Sequence, residues 1–175
     1  NEVEVTSVSE VGEDNPYYSL DVEDIDTYFT SEILVHNIPP RKCFTGDTMI
    51  TLADGTYENI QKIKPGTEIK TYNEETGKLQ NSVVGEITKI RHDNLVKYKF
   101  SDNTEIKATD DHPFYVGGDY KAPLEVGDEV LNDELNKVNV VKVEKLDLHE
   151  ITYNIDNTNN GKNYFANRVL VSDES

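Results

Sequence analysis

The sole cysteine of this 175-residue chain, Cys43, stands within EILVHNIPPRKCFTGDTM, residues 32–49. A cysteine thiolate is a strong nucleophile. At the start of a folded segment it can attack the carbonyl of the preceding residue, here Lys42, and convert that amide to a thioester by an N-to-S acyl shift. The step needs a polarised amide and a proton for the departing nitrogen. Thr109 and His112 lie three apart in KATDDHPF, at the end of a predicted strand. Their hydroxyl and imidazole could hydrogen-bond the amide, with the imidazole supplying the proton. Asn37 offers a second reaction. Its side-chain nitrogen can attack its own backbone carbonyl, closing a succinimide and cleaving the Asn37–Ile38 bond, and His36 stands beside it to polarise that carbonyl. Singly, each residue has an ordinary role: a buried cysteine packs as a small hydrophobe, His112 before Pro113 caps a strand, and Asp110-Asp111 is a solvated pair.

The elements that must position these groups read as short strands. Met49 to Leu52 runs into Ala53-Asp54-Gly55-Thr56, a hairpin signal. Turns at Pro65-Gly66 and Glu75-Thr76-Gly77 bracket a strand from Glu68 to Tyr72, and a longer one is predicted from Val83 to Arg91. Leu95 to Phe100 turns at Asp102-Asn103 and returns through Thr104 to Thr109. Further strands are expected at Val138 to Val143, Ile151 to Ile155 and Tyr164 to Val171. No stretch of ten residues carries a helical period, although Tyr57 to Ile63 could hold one turn. The fold class is therefore all-β with little helix.

The chain also repeats itself. Residues 18–37, YSLDVEDIDTYFTSEILVHN, return as residues 153–173, YNIDNTNNGKNYFANRVLVSD. Tyr18 matches Tyr153, Asp21 matches Asp156, Tyr28-Phe29 matches Tyr164-Phe165, and Leu34-Val35 matches Leu170-Val171. The stretch from Cys43 to about Lys142 occurs once, so one N-terminal portion faces two candidate C-terminal portions. Their ends differ where the chemistry would lie: the first finishes His36-Asn37, the second Ser172-Asp173. A carboxylate is a poorer ring-forming nucleophile than a carboxamide, so Asp173 is expected to follow the cyclisation route poorly.

Composition narrows the function classes. A formal net charge of −17 argues against a nucleic-acid partner, which requires clustered Lys and Arg. One cysteine makes no internal disulfide and implies no oxidising compartment. No signal peptide or membrane-length apolar run is visible, so a soluble, cytoplasmic setting is expected. The histidines His92, His112 and His149 are too dispersed in sequence for a metal site, and no cofactor is expected.

Taken together, CFTGDTMITLADG, KATDDHPFYV, PLEVGDEV and YSLDVEDIDTYFTSEILVHN resemble the inteins and, more broadly, the Hint superfamily of hedgehog and intein autoprocessing domains. The resemblance covers nearly all the chain: residues 43–175 look like a full Hint unit, with an N-terminal portion at 43–142 and a degenerate C-terminal portion at 143–175. Residues 1–37 look like the closing segment of another unit, and residues 38–42 like a linker or extein. The resemblance implies a horseshoe-shaped all-β fold with both ends at one site, Cys43 as the acyl-shift nucleophile, Thr109 and His112 as the amide-activating pair, and His36 and Asn37 as the C-terminal cleavage pair. The partners it implies are flanking exteins in cis. Splicing inteins are followed by Cys, Ser or Thr, whereas Asn37 precedes Ile38. Cleavage is therefore expected rather than splicing. The histidine many inteins place before the final strand is Asp26 in the first copy and Gly161 or Lys162 in the second.

Two assemblies follow. Residues 43–175 form a self-contained unit, or residues 1–37 complete the fold with residues 43–142 through a pentapeptide that spans at most about 17 Å. In the second, the last thirty or so residues are displaced or swapped into a dimer. Continuous loops favour the first. The alternatives to self-processing are a decayed Hint module serving as a structural linker, and an acidic β-domain that binds protein partners.

Overall fold

The computed structural model describes residues 42–174 and, before them, the backbone of four strands: β1 (Val5–Val11), β2 (Tyr17–Val22), β3 (Thr27–Thr30) and β4 (Ile33–His36). The chain divides into two compact units, Asn1–Arg41 and Lys42–Ser175. In the first, β1 pairs antiparallel with β2, and β3 with β4. Tyr28 stands opposite Val35 and Phe29 opposite Leu34.

The second unit opens with β5 (Phe44–Thr45), β6 (Met49–Thr51), β7 (Tyr57–Asn59) and a 3₁₀ turn at Ile60–Lys62. The ribbon of β8 (Glu68–Asn73) and β9 (Lys78–Val83) follows, then β10 (Glu86–His92), β11 (Leu95–Phe100) and β12 (Glu105–Thr109). Three short strands come next, β13 (Phe114–Val116), β14 (Asp119–Lys121) and β15 (Glu129–Leu131). The chain closes with β16 (Lys137–Lys145), β17 (Glu150–Asp156), β18 (Asn163–Ala166) and β19 (Val169–Ser172). One continuous path of pairing runs β10-β17-β5-β12-β11-β16-β15-β13-β19-β18-β6-β7, with β14 against β13. The described residues are thus almost entirely β, as the alternating apolar patterns require.

Two features of this path position the site. Phe44 is hydrogen-bonded between two strands at once, opposite Ala108 of β12 and Tyr153 of β17. The start of the unit is therefore held inside the sheet, third from one end of the path. The β18–β19 hairpin inserts between β6 and β13, and Tyr164, Phe165, Ala166, Val169, Leu170 and Val171 are all buried. Its register, Tyr164 opposite Val171 and Phe165 opposite Leu170, repeats that of β3–β4 pair for pair. Its two-residue turn holds Asn167 and Arg168 at φ 43° and 69°, as a primed hairpin turn demands. Asn167 stabilises the turn by accepting the Met49 N–H at 2.7 Å and donating to the Glu105 carbonyl at 2.7 Å, while the Arg168 guanidinium donates to Asp133 at 2.9 Å.

The core packs Phe44, Tyr98, Phe100, Ile106, Phe114, Ile155 and Tyr164 against one another. Fully burying a side chain of this size contributes about 1.5–3 kcal/mol. The strand expected from Val83 to Arg91 is two strands, interrupted at Val84-Gly85. Gly85 lies so close to the Asn157 carbonyl that a Cβ there would stand 2.3 Å from its oxygen. The strand expected from Tyr164 to Val171 is likewise the hairpin just described.

Candidate active site

Cys43 is completely buried one residue before β5. Its carbonyl accepts the Thr109 N–H at 2.9 Å, and its own N–H donates to the Thr109 hydroxyl oxygen at 3.1 Å. That N–H belongs to the Lys42–Cys43 amide, so the threonine side chain touches the nitrogen that an acyl shift would release. Thr109 occupies this place because the β5–β12 register, Phe44 opposite Ala108, sets the next pair along at Cys43 and Thr109. On the other flank the β5–β17 register, Thr45 opposite Thr152 and Phe44 opposite Tyr153, continues to Cys43 and Asn154. Directly opposed residues of an antiparallel pair share a face. Cys43 is therefore bracketed by Thr109 and Asn154.

His112 follows Thr109 by one tight turn, its N–H donating to the Thr109 carbonyl at 3.1 Å. The imidazole is fully buried and rests against Phe44, ring centroids 4.0 Å apart. Burial pushes its pKa down to about 3; the backbone of Lys42 and Ser172 pulls it partly back. Those backbone groups flank the ring, yet neither ring nitrogen has a partner in hydrogen-bond geometry among the described residues. His112 is therefore a neutral imidazole at pH 7, with one nitrogen able to accept a proton and the other carrying one.

The other end of the unit reaches the same place. The Ser172 N–H donates to the Pro113 carbonyl at 3.0 Å, next to His112. Asp173 is buried, and one of its oxygens accepts both the N–H of Thr158 at 3.1 Å and its hydroxyl at 2.8 Å. Burial raises the Asp173 pKa above the usual carboxylate value, against the opposing pull of the Thr158 hydrogen bonds.

Of the residues singled out in the sequence, Cys43, Thr109 and His112 are thus gathered at one buried point. His36 ends β4 in the separate N-terminal unit, and Asn37 lies outside the described residues. A polar chain that residue type and spacing do not announce joins Tyr164, Asn154, Asp156 and Thr88. The Tyr164 hydroxyl donates to Asn154 Oδ1 at 2.6 Å, Asn154 Nδ2 donates to Asp156 at 2.8 Å, and Asp156 accepts from the Thr88 hydroxyl. Tyr164, Asn154 and Asp156 are all buried. The internal repeat held a signal for two of them, because Tyr164 and Asp156 match Tyr28 and Asp21. Among the described residues, no three His, Cys, Asp or Glu side chains gather as a metal site would need, and no helix is long and apolar enough to cross a membrane.

Comparison with known proteins adds to this geometry. The pretoxin HINT domain model matches residues 49–169. The bacterial intein-like domain from Clostridium thermocellum, a solution structure, is 31% identical, with 76% of this chain and 99% of that one covered at a TM-score of 0.68. A DnaB intein from Synechocystis sp. PCC 6803 matches at 22% identity and a TM-score of 0.70, over 77% of this chain and 99% of that one. The Ssp DnaB mini-intein variant M86 matches at 20% identity and a TM-score of 0.69, over 79% and 97%. At those identities the two DnaB likenesses speak to fold alone. No curated protein matches the chain.

Proposed function

Because the chain belongs to the pretoxin HINT domain family, within the Hint and intein superfamily of autoprocessing domains, we propose that residues 43–175 carry out a single-turnover rearrangement of their own N-terminal peptide bond. The observation that carries this reading is the reciprocal hydrogen bonding of Cys43 and Thr109 beside the neutral, unpartnered imidazole of His112. In the step proposed, Cys43 Sγ bonds to the Lys42 carbonyl carbon and the Lys42–Cys43 C–N bond breaks. The thiol proton passes through His112 to the departing nitrogen, which becomes the α-amine of Cys43. His112 is suited to this relay, since a neutral ring can take the thiol proton and, once cationic in an apolar pocket, gives it up readily. Thr109 holds the amide so that its nitrogen faces the transfer. Attack by an external thiol then releases the segment ending at Lys42.

Residues 1–37 are read as the closing segment of a separate Hint unit, with His36 and Asn37 as its cleavage pair acting at Asn37–Ile38. The matching registers of β3–β4 and β18–β19 support this reading. The substrate of each reaction is then the flanking chain in cis, and residues 38–42 lie between two scission points. Exchange of one closing hairpin for the other would require a domain-swapped dimer or a displaced C-terminus. Residues 43–175 lack a terminal asparagine and release nothing at their own end. The Ser172-Asp173 ending favours one competing reading, a decayed module kept as a structural linker.

Mass spectrometry of the folded protein incubated with dithiothreitol separates the two. The expected result is thiol-dependent scission between Lys42 and Cys43, abolished by Cys43→Ala. A chain that stays intact at this bond while remaining folded rejects the acyl shift and leaves the linker reading.

A further inference from the structure

The buried polar chain behind Cys43 has no part in the step above. Removing the three buried members, Tyr164, Asn154 and Asp156, from water costs free energy that an apolar filling of the same volume would avoid. Its geometry has a direction. Asn154 stands opposite Cys43 by continuation of the β5–β17 register, and Tyr164 donates to Asn154 Oδ1. The phenol at the oxygen and Asp156 at the nitrogen together fix which end of the carboxamide is the acceptor. The amide nitrogen gives one N–H to Asp156 and keeps a second. We propose that Tyr164 is a positioning residue for Cys43: it locks the Asn154 carboxamide so that its remaining N–H serves the Cys43 sulfur. The proposal rests on reading Cys43 as the nucleophile.

Charge around the thiol agrees with this arrangement. Tyr164 is held well above the usual phenol range, chiefly by burial, with a backbone hydrogen bond at Ile155 opposing; Cys43, Asp156 and Asp173 push the same way as burial. Those groups therefore surround the phenol, and it stays a neutral donor. Among the described residues, the neutral His112 lies against the adjacent Phe44, and Lys42 is next in the chain. A neutral N–H from Asn154 is thus the group placed to stabilise a thiolate from the strand opposite. Without Tyr164 the carboxamide keeps its bond to Asp156 but loses the one that holds its oxygen, so the N–H offered to the sulfur is less firmly held.

A single cysteine makes the test direct. In the full chain carrying cysteine labelled with ¹³C at Cβ, the pH titration of one resonance reports the Cys43 thiol. Tyr164→Phe is expected to raise its midpoint by about one pH unit, the worth of one hydrogen bond to a charged group. Asn154→Asp, which keeps the shape but sets a carboxylate opposite the sulfur, is expected to raise it further. Tyr98→Phe, at another fully buried tyrosine, is expected to leave it unchanged. An unaltered midpoint in Tyr164→Phe, or an equal shift in Tyr98→Phe, overturns the proposal. If Tyr164→Phe fails to fold, Asn154→Leu, which removes the N–H without adding charge, decides instead: a raised midpoint is expected, and an unaltered one overturns the proposal. The readout needs no scission, so absence of cleavage would reject the acyl shift without touching this result.

Discussion

His112 ties the chemistry of the site to the stability of the fold. Its folded pKa of about 3 lies below the ordinary value near 6.5, so between those limits the unfolded chain binds a proton that the folded one refuses. The resulting stabilisation is complete above about pH 6.5 and is lost as pH falls toward 3, at a slope of at most about 1.4 kcal/mol per pH unit. Asp173 works in the opposite sense. Its raised pKa favours the folded state at low pH, and that contribution is lost as pH rises through the folded value. Urea unfolding at pH 4 and pH 7 should therefore show a smaller acid loss for His112→Gln than for the parent. An equal loss in both would mean that His112 takes up its proton without unfolding.

At the scale of elements, the join between β9 and β10 is a tight backbone approach in the sheet region beside the site. Gly85→Ala would set a methyl 2.3 Å from the Asn157 carbonyl oxygen, at the end of β17, the strand that carries Asn154. Overpacking of this kind costs about 1–3 kcal/mol. The expected result is a lower denaturant midpoint with an unchanged slope, while a midpoint equal to the parent would show that β10 and β17 separate freely at that end. This contact also explains what was legible in the sequence. The longer alternating runs that became β11, β12, β16 and β17 announced themselves. The break at Gly85 did not, because its cause lies about seventy residues away in Asn157. The three-residue strands β13, β14 and β15 are too short to display a period. Cys43, Thr109 and His112 could be found from residue type and spacing, whereas Asn154 acquires its significance from a cross-strand register that no local pattern records.

At the scale of the whole unit, the start of the chain segment and its end arrive at one imidazole: Lys42 and Ser172 both flank His112. The difference between the two repeated endings should therefore be transferable. Ser172→His combined with Asp173→Asn is expected to create scission after residue 173, detected as loss of the residues beyond it by mass spectrometry. Ser172→His alone is expected to leave that bond intact, because the carboxylate remains. A double variant that folds and cleaves at Lys42–Cys43 but never after residue 173 would show that the second end lacks access to cleavage chemistry.

The place of β18–β19 in the sheet has a consequence for synthesis. The hairpin that fills the space between β6 and β13, and brings Ser172 beside His112, is the last part of the described unit to leave the ribosome. Cys43 is among the first. While the intervening strands are being made, the nucleophile exists without the strand that completes its enclosure, and contacts of such long sequence separation form late in folding. The site is therefore assembled by the arrival of its own final strand, so that emergence of β19 sets the clock for any reaction at Cys43.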